Sequence, residues 1–289
     1  MDGILLIDKP AGISSAEVVR RIKPHVKPAR VGHLGTLDPF ATGLLPILIG
    51  EATKLAPFLE GGDKHYAGVI RLGAETDTLD RDGAVIRTAK IPQLEASRLA
   101  QAAARFTGLI EQTPPIYSAI KREGVPLYKR ARRGEDVAPP NSRRVEIKHL
   151  TLETIDADSI RFDVSCTTGT YIRALARDIG DALDSAAHLV ELRRLRNGNF
   201  DIEGAITLES ALASLKSPPV SRLTGLAESL PGLAAVTIGP TIEARLRNGD
   251  SRALDRLVTS SSAIFKCISA DGRLIAIARA TSPLTAKIV

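Results

Sequence analysis

The chain has 289 residues, 44% apolar and 25% charged, the composition of a soluble globular protein with room for one large domain and a small appendage. No stretch approaches the roughly 20 apolar residues of a membrane-spanning helix, and the opening Met1-Asp2-Gly3-Ile4-Leu5-Leu6-Ile7-Asp8 has no basic leader, so the cytoplasm is the expected compartment. Net charge is +6, with +5 in residues 20–30 and +5 in residues 121–148, which leaves −4 for the rest; this footprint suits a polyanion such as RNA or DNA, although two solvated basic faces would give the same count.

In chain order, Ile4-Leu5-Leu6-Ile7 predicts a short buried strand ended by the turn signal Asp8-Lys9-Pro10-Ala11-Gly12. Ser14-Ser15-Ala16-Glu17 has capping-box spacing, and Val18, Val19, Ile22 and Val26 share one helical face, so the first basic cluster rides on the outer side of a helix. A short helix is expected over Glu51 to Leu59 and a strand over His65 to Leu72, followed by an acidic turn at Thr76-Asp77-Thr78-Leu79-Asp80-Arg81-Asp82-Gly83. Pro92 to Phe106 predicts a helix, broken by Pro114-Pro115. Residues 116–144 are basic and proline-punctuated, with weak periodicity, and are expected to form a long functional loop or a mobile helix-loop arm. Strands around Val145–Leu152 and Ile160–Cys166 lead to a helix from Thr170 to Leu183 with Ile172, Leu175, Ile179 and Leu183 inward. Mixed succession of this kind predicts an α+β fold. Residues 216–231 are the expected linker, and the tail is expected to be β-rich, with a hairpin of Ala263–Ser269 and Arg273–Ala280 about a type I′ Asp271-Gly272 turn. Cys166 and Cys267 form no C-x-x-C or Cys/His cluster, so neither a disulfide framework nor a zinc site is suggested.

Asp38 is the one acid in the glycine-rich, largely apolar run 32–50, a costly setting for a carboxylate without work to do. All four tyrosines, Tyr66, Tyr117, Tyr128 and Tyr171, lie outside the last hundred residues, and clustered aromatics suit a protein that stacks on bases. Gly32-His33-Leu34-Gly35-Thr36-Leu37-Asp38-Pro39-Phe40-Ala41-Thr42-Gly43-Leu44-Leu45, Lys64-His65-Tyr66, Gly169-Thr170-Tyr171-Ile172-Arg173 and Leu192-Arg193-Arg194, in that order after Gly3-Ile4-Leu5-Leu6-Ile7-Asp8-Lys9-Pro10, closely resemble the TruB family of tRNA pseudouridine synthases. The likeness runs to about Leu208. It implies a pseudouridine synthase fold with a central mixed, mainly antiparallel sheet over 1–215, including an RNA-binding arm at about 116–144. It also implies a small PUA-like domain over 232–289, shorter than the barrel of better-known members.

The resemblance further implies isomerisation of uridine 55 in the T-loop of tRNA by a monomeric enzyme without metal or cofactor. Asp38 would be the nucleophile, Arg173 the cation that keeps it ionised, and Tyr66 the residue that stacks on the base and moves a proton. Tyr171 and Leu192 would shape the uracil slot, and His33, Lys64, Lys121 and the arm with Arg130, Arg132 and Arg133 would hold RNA. Taken alone, Arg173 would be a surface helix residue, and Tyr66 and Leu192 would be ordinary core. The alternatives weighed are a non-catalytic RNA-binding chaperone of the same fold and another base-modifying enzyme. A zinc deaminase lacks its H-x-E and P-C-x-x-C strings here, a nucleotide-dependent methyltransferase its G-x-G-x-x-G, and a P-loop protein its Gly-Lys-Ser/Thr.

Overall fold

The computed structural model describes residues 1–118, 120–216, 222–254, 264–279 and 285–288. Its frame is a mixed sheet of β1 (Gly3–Lys9), β2 (Thr42–Ile49), β3 (Lys64–Leu72), β4 (Gly108–Gln112), β5 (Arg143–Thr154), β6 (Ser159–Cys166) and β7 (Ala187–Asn197). The spatial order is β1-β2-β7-β3-β6-β5-β4, with Ile206–Thr207 beyond β1. Neighbours are antiparallel except β2 with β7 and β1 with Ile206–Thr207, which gives the expected α+β architecture. Among the described residues no helix is long and apolar enough to cross a membrane.

Helices α1 (Ser15–Ile22), α2 (Ala96–Phe106) and α3 (Ile172–Ala182) cover one face of this sheet. Val18 and Ile22, Leu99, and Leu175 and Ile179 pack there on Leu5, Ile7, Ile47, Ile70, Phe162 and Val164. The other face is divided. At its β1–β2 end, Ile4, Leu6, Leu44 and Leu48 are covered by Leu55 and Leu59 and by Leu230, Leu274 and Ile277 from the C-terminal part. Burial on both faces explains why β1 reads as an unbroken apolar run. Beyond that cover, the β3–β6 end carries half-buried Ala67 and Val69 and exposed Arg161, and it stays open.

Four local expectations change. Ser14 caps α1 by accepting the Glu17 N–H at 3.1 Å, but the Glu17 carboxylate does not close the box, because Arg20 and Arg21 hold it at 2.7–2.9 Å. Two of the five cations of the first basic segment are thus already paired. Strand β4 intervenes between α2 and Pro114; it shows an exposed Leu109 and a buried Gln112, the reverse of the pattern that would announce it. Strand β7, next to the middle of the sheet, carries no alternating sequence signature because bulges at Leu189/Glu191 and Arg194/Arg196 break its period of two. The expected linker is in part packed structure, since Leu223–Thr224 pairs with β1 and Leu230 is buried; residues 217–221 of it, which the expected domain boundary spans, lie outside the described residues.

The C-terminal module is a four-stranded sheet, Ala234–Thr237, Ile264–Ile268, Leu274–Arg279 and Thr285–Ile288 in spatial order, with helix Pro240–Arg247. Its hairpin forms, although Ala263 and Ala280 lie outside the described residues. The turn is not type I′. Only Gly272 takes a left-handed φ, +82°; its N–H donates to Ser269 O at 2.9 Å while the Ser269 N–H donates to Arg273 O at 2.9 Å, the geometry of a type I turn with a glycine bulge.

Candidate active site

Asp38 stands on the loop between the short strand Val31–His33, paired back onto β2, and β2 itself. Three groups fix that loop from below. The Ser15 hydroxyl accepts the Leu37 N–H at 2.8 Å and donates to Leu37 O at 3.1 Å, so the residue before Asp38 cannot rotate freely. Lys9, fully buried, donates through Nζ to Pro10 O, Ile13 O and, at 3.3 Å, Pro39 O. Burial lowers its pKa to about 8, and the nearby Asp38 charge opposes that shift. Arg194, also fully buried, donates from Nε to Leu44 O at 2.8 Å, from Nη2 to Gly35 O at 3.0 Å and from Nη1 to Thr36 O at 3.5 Å. Where β2 starts beside β7, Gly43 has φ +99° and a Cβ there would lie 2.3 Å from Arg194 O, so only glycine permits the approach.

From the opposite side, the first turn of α3 delivers Arg173. Its Nε lies 2.9 Å from Asp38 Oδ2 and its Nη2 donates to Asp38 Oδ1 at 3.2 Å, a two-point pair with the guanidinium buried and the carboxylate 33% exposed. The remaining donors reach Thr78 O at 2.7 Å and Tyr117 O at 2.9 Å, and Nη1 is 3.5 Å from Asp80 Oδ2. The acidic turn at 76–83 is therefore part of the site. Asp80 is buried and its carboxyl is pushed up by that burial, against the Thr78 hydroxyl and Arg173. Lys9, Asp80 and Arg194 were not singled out from sequence, although Lys9 and Arg194 sit inside the quoted motifs and Asp80 inside the acidic turn.

Tyr66 and Leu192, on adjacent β3 and β7, both join the main core cluster with Ile172, and Tyr66 is 7% exposed. Burial pushes the Tyr66 phenol up, opposed by Arg194. Tyr171 N-caps α3, its backbone held at both ends by the Gln112 amide at 2.7 and 3.1 Å, and its ring lies under Arg143 at 5.1 Å. His33 keeps a buried Nδ1 with no hydrogen-bond partner among the described residues, and burial lowers its pKa. Lys64, lowered by burial too, donates to Gly62 O and to the Thr168 hydroxyl at 3.0 Å. Lys121 is exposed on a two-residue strand of the arm, which folds as the hairpin Lys121–Arg122/Val125–Pro126 and helix Leu127–Ala131. Arg130 is tied to Glu135 at 2.7 Å and to Glu123 at 3.5 Å, so it is less available to RNA than expected, and Arg133 is 3.7 Å from the same Glu135.

On its β2 side, β7 lacks a backbone neighbour between Leu189, bridged to Asp80, and Arg193, paired with Thr42. Side chains fill in: Arg81 donates to Val190 O at 3.3 Å and the Thr42 hydroxyl to Leu192 O at 3.4 Å. Here lies a cleft of about 430 Å³, lined among others by Phe40, Thr42, Val69, Arg81, Glu191 and Leu192.

The open, mainly antiparallel sheet that carries the Asp38 loop is a pseudouridine synthase fold. A chain from the crystal structure of a Cbf5-Nop10-Gar1 complex superposes with a TM-score of 0.71 at 26% identity, covering 99% of this chain and 82% of that one. The sequence matches the TruB family pseudouridylate synthase N-terminal domain over residues 22–172 and the tRNA pseudouridylate synthase B C-terminal domain over 173–217, and the chain belongs to the TruB family. It is 43% identical over 241 residues to tRNA pseudouridine synthase B of Geobacter sulfurreducens, covering 83% of this chain and 75% of that one. It is 41% identical over 285 residues to the Xanthomonas campestris pv. campestris protein of the same name, covering 95% and 92%.

Proposed function

We propose that this enzyme isomerises uridine 55 in the T-loop of tRNA to pseudouridine with Asp38 as the nucleophile. The observation that carries the reading is the two-point Asp38–Arg173 pair: a buried guanidinium holds both oxygens of a carboxylate that is still 33% exposed, fixing the orientation from which it can attack. The isomerisation is balanced within the nucleotide. The N1–C1′ bond breaks, C5–C1′ forms, N1 gains a proton and C5 loses one, so no oxidant or reductant is needed. An ionised Asp38 serves whether it attacks C1′, adds to C6 or removes a sugar proton.

Tyr66 and Leu192 flank the base, with Tyr66 placed to move a proton, and Tyr171 closes the slot. Reaching a base inside a folded loop requires flipping it out, and the exposed Lys121, Arg132 and Arg133 of the arm, with His33 and Lys64 beside the catalytic loop, hold the displaced RNA. The enzyme acts as a monomer without metal or cofactor, and the C-terminal module is PUA-like.

An unmodified T-arm transcript tritiated at uridine C5 tests the reading. Wild type should release tritium, and Asp38→Asn should release none while binding the transcript with wild-type affinity. Full activity of Asp38→Asn would sink the mechanism, and binding by wild type without release would make the protein an RNA-binding chaperone of this fold.

A further inference from the structure

Arg194 heads the largest fully buried side chains of the described molecule, and among the described residues no carboxylate lies within salt-bridge distance of it. An interior cation without a counter-ion is a costly placement, so what it does contact is informative. Its carbonyl partners Gly35 and Thr36 precede Asp38 and Leu44 follows it, so a single guanidinium brackets the nucleophile's loop. Its register partner across the β7–β3 pair is Tyr66, so the two side chains leave the same face of the sheet on one rung. The charges that act on that phenol include Arg194, which favours its ionised form, and the Cys166 thiol and Asp38, which oppose it. Those on which the Arg194 charge acts include Lys9, His33 and Lys64, each of whose protonated forms it disfavours. Of these groups Tyr66 alone has its ionised form favoured by Arg194.

We propose that Arg194 is a positioning residue for the isomerisation: its fork locks the Asp38 loop and, from the rung opposite Tyr66, sets a positive charge beside the phenol. The proposal rests on the roles of Asp38 and Tyr66 given above. Its fork geometry cannot be reproduced by lysine, whereas its charge can.

Single-turnover kinetics on the T-arm transcript separate these two contributions. R194K should lose about 100-fold in rate with transcript affinity and pH profile unchanged, the scale expected when reacting groups shift by about an ångström. R194Q should lose at least as much, and its alkaline limb should move to higher pH, because the phenol then titrates without a neighbouring cation. In a Tyr66→Phe background either change should cost at least tenfold less than in wild type. A merely structural clamp would lower melting temperature and rate without moving the limb or coupling to Tyr66. Wild-type rate in R194K, an unmoved limb in R194Q, or costs that simply add in the Tyr66→Phe background would overturn the proposal. Should R194Q fail to fold, R194K and its combination with Tyr66→Phe decide. Absence of tritium release by wild type overturns the substrate assignment, whereas release by wild type with unchanged Arg194 variants overturns only the role of Arg194.

Discussion

Around Asp38 and in the C-terminal module, arginines find their partners in opposite ways. Arg173 meets Asp38 across 135 residues of sequence, Arg194 meets Gly35 across 159, and the Asn197 amide that holds Leu34 O at 2.9 Å reaches across 163. In the module, Arg247 pairs with Glu243 four residues away, Arg245 with Asp250 five away, and Arg252 and Arg273 with Asp250 and Asp271 two away. The first set is buried and exists only once the sheet has formed. The second is solvent-washed and would form in any chain with the right local turn. Exposed pairs of that kind add ~0–1 kcal/mol each, whereas a buried pair is a geometric commitment whose breakage leaves a stranded charge. Charge count alone, which flagged residues 20–30 and 121–148, does not separate the two; burial of the guanidinium does.

Arg173→Met should break the contrast most sharply. It strands Asp38 and Asp80 together, costing about 3–5 kcal/mol in a denaturant titration and abolishing tritium release; a stable, active variant would erase the distinction. Lys9 tests it by pH. Its folded value of about 8 lies below the free value of 10.5, so between those pH values the unfolded chain binds more protons and the Lys9 contribution to stability rises with pH. The Cys166 thiol, pushed up to about 11 by burial, and Tyr66 work in the opposite sense over the same range, so the informative quantity is a difference. Wild-type stability minus that of Lys9→Met should grow by up to about 3 kcal/mol from pH 8 to 10.5 and stay flat below pH 8. A flat difference throughout would remove Lys9 from the buried set. Gly43→Ala should cost about 1–3 kcal/mol from its left-handed φ alone, plus the clash with Arg194 O, read as a lower melting midpoint. Smallest of all, Arg247→Ala should change stability by less than about 1 kcal/mol and leave the rate untouched.

Much of this was legible before any coordinates. The string around Asp38 marks the loop, because glycines at 35 and 43 and an acid among apolar residues are hard to explain otherwise, and Arg173 follows from the Gly-Thr-Tyr-Ile that precedes it. Helix α3 is readable from Ile172, Leu175, Ile179 and Leu183, all of which are buried. What stayed hidden is long-range or irregular. Asp80 belongs to a turn whose acids look like ordinary turn formers until the bridge to Leu189 brings it against Arg173. Arg194 looks like a surface cation beside Arg193, and the bulges of β7 are what turn it inward to carbonyls no local pattern could name. The C-terminal cover on Ile4 and Leu6 was equally invisible, since apolar residues announce burial but not their cover.

The gap along β7 has a consequence for selectivity. On the β2 side, among the described residues, three residues of the strand, Val190 to Leu192, go without a backbone neighbour, which fixes the opening at about 10 Å along the strand, the rise of three extended residues. Its length is therefore counted in whole rungs rather than tuned by side-chain size. The bulge at Leu189/Glu191 sets which side chains look into it, since one residue more or fewer there would send Leu192 to the opposite face of the sheet. The aperture is in this sense written in the strand register, and a single-residue insertion or deletion beside Val190 would reassign its walls without touching any of the charged residues around Asp38.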